Sequence, residues 1–365
     1  MLERAPRMFD KRGNYWLLGI LLISLTIQVV FMQLGTWSLI ASDAANYEEL
    51  AFSLSTGEGY TINNVPNTHS PPGVPLIVAL FYKAFGRSPD IFRYFQTGLL
   101  LVMILLVYLI SRSFFDEKLS ILASFIFALN PMFWASSKQF GADFLASFFM
   151  VLALYLYIRL RKPFPYTSIA FFTLLFLTAL ALGAGILVKP ANILFAFVLR
   201  LHFLFFKGYT GFPRRFLYCT ILALCTLLVM APWLYRNYKV SDGGLVGVSS
   251  HTGISIYSSY FPPQGKLFGF MANDENTRAA AHLNPWEKSK VMTKKTIELI
   301  KQDPMLPIRL LPRKVLTTFM PFDYEILPSD GSEGRPVYNP YFPVLMLLGL
   351  LGILMVFRHE SISYL

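Results

Sequence analysis

The sequence is dominated by apolar blocks longer than a water-soluble core has any use for. They fall at about 15–40, 91–111, 119–136, 142–158, 166–188, 190–206, 216–235 and 341–357. An α-helix needs roughly 20 predominantly apolar residues to cross the hydrocarbon core of a bilayer, so these read as about eight transmembrane helices. A closed barrel would instead show short strands of alternating polarity, and none is apparent. The expected fold class is therefore all-α: a polytopic integral membrane bundle. Composition agrees, with 55% hydrophobic and only 15% charged residues, where soluble domains carry about 25% charged.

A ninth apolar stretch, Pro71 to Gly86, is too short and too proline-rich at its start to cross comfortably. It is expected to lie on, or dip into, the outer membrane face. The basic residues test that choice. With 71–86 not crossing, one side collects Arg4, Arg7, Lys11 and Arg12, then Arg112 and Lys118, then Arg159, Arg161 and Lys162, then Lys207, Arg214 and Arg215, and finally Arg358. The short turns on the other side hold only Lys138 and Lys189. That is a positive-inside pattern with both termini cytoplasmic. Were 71–86 to cross, every later cluster would switch sides. The net charge of +11 is thus accounted for by cytoplasmic loops facing anionic lipid, and nucleic acid is not an expected partner. The basic N-terminus followed by a long apolar run reads as an uncleaved signal anchor. Cys219 and Cys225, both in one apolar segment, carry no disulfide or metal pattern.

Three regions follow: a transmembrane core over 1–236, an extracytoplasmic region over 237–340, and a final helix with a short tail over 341–365. Within the second, Trp286 to Lys301 places Met292, Thr296, Leu299 and Ile300 on one helical face, with Lys288, Lys294, Lys295 and Lys301 largely elsewhere. This is the pattern of a basic amphipathic helix at the membrane interface.

Candidate chemistry gathers on the outer side. The first outer loop, about 41–90, opens with Ser42-Asp43-Ala44-Ala45-Asn46-Tyr47. A carboxylate where a helix leaves lipid is costly unless paired, hydrated or functional. Asp43 can equally be an N-cap. The loop closes with His69-Ser70-Pro71-Pro72-Gly73, a rigid turn that then permits a helix; His69 either binds substrate or phosphate, or caps that turn. Asp143 faces the same compartment from another helix, as a second cap or as half of a carboxylate pair for general-base or metal-assisted work. Lys189-Pro190 and Arg236-Asn237 stand at outer span ends, where cations either hold a lipid phosphate or snorkel.

These residues together resemble a family. The pattern Asp43-Ala44-x-x-Tyr47-x-x-Leu50-Ala51, Gly57-x-Gly59-Tyr60 and Pro71-Pro72-Gly73-x-Pro75-Leu76 is similar to bacterial relatives of the dolichyl-phosphate-mannose:protein mannosyltransferases. These belong to the GT-C superfamily, which also contains the aminoarabinose transferases of lipid A. Asp143 followed by Phe148-Phe149, Lys189-Pro190 and Pro232-Trp233-x-x-Arg236-Asn237 extend the likeness across roughly 15–260. His69 stands where relatives often carry an acid, and many members have eleven or more spans. The resemblance implies a GT-C-like bundle with juxtamembrane helices in the first outer loop, in a bacterial inner membrane. It implies transfer of a sugar from a polyprenyl-phosphate donor to an acceptor hydroxyl of a protein, lipid or glycan on the extracytoplasmic side. Asp43 would be the catalytic base and Asp143 would position acceptor or sugar. Tyr47, His69 and Asn237 would contact substrate, while Lys189 and Arg236, by sign and side, would offset charge on the departing phosphate. No carboxylate pair sits at metal-ligand spacing, which leaves a divalent cation as a possible addition only. Two other readings stay open: a flippase of lipid-linked sugar, and a catalytically inactive relative that binds polyprenyl lipid. Charges at span ends rather than mid-membrane favour the enzyme.

Overall fold

In a computed structural model the described residues are 11–34, 42–138, 140–160, 168–205, 211–260, 275–318, 322–324, 336–338 and 341–358. The chain divides into two compact units, Met1–Ser249 and Ser250–Leu365.

The first unit is helical apart from one short hairpin. Its elements are α1 (Lys11–Leu34), α2 (Ser42–Thr56), β1 (Thr61–Ile62), β2 (Val65–Pro66), α3 (Gly73–Phe85), α4 (Pro89–Ser111), α5 (Glu117–Ala128), α6 (Pro131–Ser136), α7 (Ala142–Leu160), α8 (Ile169–Val188), α9 (Asn192–Phe205) and α10 (Phe212–Val240). Among the described residues five helices are long and apolar enough to cross a membrane: Gly13–Gln33, Pro89–Ser111, Ala142–Leu160, Ile169–Val188 and Phe212–Val240. The outer part of the first expected span, 35–40, lies outside the described residues.

Two expected spans come out shorter. The segment 119–136 is two helices, α5 and α6, not one. Asn130 turns extended, its side-chain oxygen accepts from the Met132 amide at 3.0 Å, and Pro131 starts a new helix because it has no N–H to continue the old one. Trp134 Nε1 donates to the freed Ala128 carbonyl at 2.8 Å and folds α6 back. The segment 190–206 forms α9, of 14 residues. The short apolar stretch expected not to cross, 71–86, forms a helix, α3, of 13 residues. At 1.5 Å per residue it spans about 20 Å, less than a hydrocarbon core of about 30 Å.

Two buried clusters hold this unit together. One joins α2, α3, α4 and α7 through Ala51, Val78, Phe92, Leu100 and Leu145, all fully buried. The other joins α7 through α10 around Phe171, Ala179, Ala196 and Leu222. The opposite faces of the long helices stay apolar and exposed, as with Leu18 and Leu22 on α1 or Leu224 and Leu228 on α10. Lipid is as apolar as a core, so such faces cost nothing in a bilayer.

The second unit contains α11 (His251–Tyr260), α12 (Glu275–Ala279), α13 (Pro285–Gln302), α14 (Leu306–Thr318), the antiparallel pair β3 (Phe322–Tyr324) and β4 (Pro336–Tyr338), and α15 (Tyr341–Arg358). Helix α13 is the amphipathic helix expected over 286–301. Its apolar face is covered from within the unit: Met292 is fully buried with Ile254 and Tyr257 of α11 and with Ala280. The unit boundary also falls later than the expected break at 236. Residues 237–249 stay with α10 because Asn237 Nδ2 donates to the Gly247 and Val248 carbonyls at 2.9 and 3.3 Å, and Trp233 Nε1 donates to Val248 at 2.9 Å.

Candidate active site

Helix α2 begins at Ser42 and carries Asp43 in its first turn. Asp143 occupies the same place on α7. Both carboxylates are thus inside helical first turns, where the positive end of the helix dipole favours them. Tyr47, one turn beyond Asp43, is buried. Burial raises its phenol far above the ordinary tyrosine value, and the negative charges of Asp43 and Asp143 raise it further. Carboxylates a hundred positions apart in sequence therefore act on one phenol, which is kept protonated.

Lys189 follows the end of α8, with its amide bonded to the Gly185 carbonyl at 2.9 Å. Its ammonium donates to Asp143 Oδ1. Both side chains remain open, at 45% and 75% exposure, so this pair is reachable by a ligand. Its position is fixed by Gly73 at the start of α3. A Cβ there would stand 2.4 Å from Val188 Cγ2 and 2.7 Å from the Val188 backbone, so only glycine lets α3 abut the end of α8. The start of α3 thereby lies against Val188, next to Lys189.

Between α2 and α3 the chain folds upon itself. Gly57 and Gly59, both at φ +88°, end the helix with backbone that favours glycine. Tyr60 is buried, and its hydroxyl donates between the Ser70 and Pro71 carbonyls at 3.1 and 3.0 Å. Burial raises the Tyr60 phenol, the nearby Tyr47 adds to this, and Arg236 opposes it. His69 is half-buried, and its carbonyl accepts from Ser249 Oγ.

Arg236 and Asn237 are engaged by the protein itself. Arg236 donates to the Asn67 and Tyr60 carbonyls and to Asn237 Oδ1. Asn237 is fully buried, with its amide spent on the Gly247 and Val248 carbonyls. The structure therefore brings Asp43, Tyr47, Asp143 and Lys189 together and uses Asn237 to hold the chain.

Sequence reasoning missed Glu48, beside Tyr47. It is buried, accepts from Arg87 Nε at 2.8 Å and NH2 at 2.6 Å, and accepts from Tyr82 Oη at 3.0 Å. Arg87 also stacks 4.0 Å over the Phe52 ring. Among the described residues no group of three His, Cys, Asp or Glu side chains could hold a metal ion.

Comparison with known proteins agrees with this architecture. The family model for dolichyl-phosphate-mannose-protein mannosyltransferase matches residues 69–235, a stretch that holds His69, Asp143 and Lys189. The archaeal oligosaccharyltransferase AglB from Archaeoglobus fulgidus, solved with an inhibitory peptide and a dolichol-phosphate, superposes with a TM-score of 0.51 at 14% identity, over 89% of this chain and 42% of its own. At that identity the likeness is one of fold. The S. cerevisiae protein O-mannosyltransferase Pmt1-Pmt2 complex bound to the sugar donor also aligns, with a TM-score of 0.47 at 16% identity, over 70% of this chain and 37% of that one. The chain thus spans well under half the length of both solved proteins. No curated protein matches it in sequence. Asp43 and Tyr47 precede the family match, and Arg236 and Asn237 follow it.

Proposed function

We propose that this protein transfers a sugar from a polyprenyl-phosphate donor to an acceptor hydroxyl on the extracytoplasmic face of a bacterial inner membrane. The observation that carries the reading is the convergence of Asp43 and Asp143 on the buried Tyr47, with Lys189 paired to Asp143. A carboxylate open to solvent, a protonated phenol and a cation are the groups such a transfer needs. The superfamily fold and the match over 69–235 support it.

Asp43 accepts the proton of the acceptor hydroxyl as its oxygen attacks the anomeric carbon. The bond from that carbon to the phosphate oxygen breaks with inversion, and the polyprenyl phosphate leaves with the electron pair. Lys189 offsets the charge that develops on the phosphate, where preorganised electrostatics lowers the barrier most. Asp143 holds Lys189 in place and lies close enough to orient the incoming sugar or acceptor. Tyr47 donates a hydrogen bond to substrate. Asp43 then returns its proton to water.

The test is transfer of radiolabel from polyprenyl-phosphate sugar to crude acceptor by purified protein in nanodiscs. General-base catalysis is worth about 10²–10⁴-fold, so Asp43→Asn is expected to lose that much while melting like wild type. An Asp43→Asn enzyme as fast as wild type would remove the base assignment. Lipid binding without any transfer by wild type would favour an inactive lipid-binding relative, and movement of the lipid between leaflets would favour a flippase.

A further inference from the structure

The cation at the outer end of α10 faces inward. Arg236 NH1 donates to the Asn67 carbonyl at 2.5 Å and to Asn237 Oδ1 at 2.9 Å, and NH2 donates to the Tyr60 carbonyl at 3.0 Å. Its guanidinium lies 5.3 Å from the Tyr60 ring centroid and 5.0 Å from that of Trp233, and these two rings meet edge-on at 4.7 Å. Three of the five donors of an arginine are therefore committed to protein oxygens.

What those oxygens belong to gives the commitment a purpose. Tyr60 and Asn67 are the two ends of a closed loop: the Asn67 amide donates to the Tyr60 carbonyl at 3.0 Å, and Asn67 Oδ1 accepts from the Ser70 amide at 2.9 Å. The loop joins α2, which carries Asp43 and Tyr47, to α3, whose Gly73 abuts Val188 beside Lys189. A shift of the loop would move one half of the site against the other. A planar fork can span two carbonyls at once, which a lysine ammonium on a flexible stem does not reproduce.

We propose that Arg236 is a positioning residue: by clamping the Tyr60 and Asn67 carbonyls it fixes the 60–71 loop, and so sets Asp43 and Tyr47 against Lys189, instead of binding the donor phosphate. The proposal rests on the transferase reading above for its consequence in rate, but the clamp itself is measurable without it.

The experiment combines hydrogen exchange over 57–71 with transfer kinetics from radiolabelled polyprenyl-phosphate sugar, on full-length protein in nanodiscs. Arg236→Ala is expected to speed exchange of the Asn67 and Ser70 amides at least ten-fold. It should lower kcat about ten-fold or more at saturating donor, with the donor KM changed less than two-fold. Arg236→Lys, which keeps the charge, should recover little of either, and it carries the same test if the alanine variant fails to fold. A direct phosphate contact predicts the opposite: unchanged exchange, a raised donor KM, and rescue by lysine. That outcome, or unchanged exchange with unchanged kcat, overturns the clamp. Should wild type transfer nothing, the transferase reading fails, and the clamp stands or falls on the exchange rates alone.

Discussion

Two carboxylate–cation pairs in the first unit differ in nearly everything but their chemistry. Glu48 is buried, takes both nitrogens of one face of Arg87, and accepts a third hydrogen bond from Tyr82. Its charge, after burial, raises the Tyr82 phenol and so keeps that donor protonated. Asp143 and Lys189 are both open. The first pair keeps a half-exposed cation but buries its carboxylate with three donors on it, and it ties α2 to α3 and to the turn before α4. The second leaves lone pairs and protons facing solvent at the place where two helix ends and the outer loop meet. A buried ion pair repays its desolvation only when such extra bonds are present, whereas an exposed pair contributes little to stability and is free to serve a ligand.

The largest effect that would break this contrast is on stability. Glu48→Ala leaves Arg87 and the Tyr82 hydroxyl without their acceptor and is expected to cost about 2 kcal/mol, read as a lowered unfolding midpoint in detergent or nanodiscs. A loss as small as that of a surface substitution would mean that the pair staples nothing. Next in size is Lys189→Met. Unfolding should change by less than about 0.5 kcal/mol, while transfer falls roughly ten-fold or more. If melting suffers and transfer does not, the roles of the two pairs are exchanged.

The smallest effect sharpens the comparison with a third charge. Lys138 is buried, donates to the Gln28 carbonyl at 3.1 Å and lies 3.7 Å over the Phe31 ring. Burial pulls its ammonium down to about 8. Between that value and the ordinary lysine range the unfolded chain binds more protons than the folded one, so stability rises with pH across that window. The cost of the buried charge is fully present below it. Relative to Lys138→Met, wild type is expected to gain about 1–2 °C in Tm on going from pH 7.5 to pH 9.5. Parallel curves for the two proteins would show that the charge is solvated.

Much of this was legible in the chain. The period and length of the apolar blocks settled a helical membrane fold, and Pro71-Pro72-Gly73 announced the short helix that follows. The break at Asn130-Pro131 was equally visible, since proline cannot continue a helix, but the apolar residues on both sides masked it. For the site, Asp43, Asp143 and Lys189 stood out as charges at span ends. Arg236 and Asn237 stood out for the same reason, because side and sign look alike whether a cation faces a ligand or a carbonyl. Glu48 did not stand out at all. It shares a helix turn with Asp43, and nothing local separates a carboxylate that points to solvent from one that meets an arginine 39 residues later.

The sequence by itself determined what a bilayer can enforce: which segments are helical and apolar, and where charges are tolerated, because those depend on transfer free energies read residue by residue. Only the tertiary structure decided partnership. That Tyr47 feels the charge of Asp143, that Gly73 abuts Val188, and that Arg236 reaches back to Tyr60 and Asn67 are consequences of packing between helices far apart in the chain. Packing is decided by shape and by the saturation of hydrogen bonds, and neither is written in any one stretch of residues.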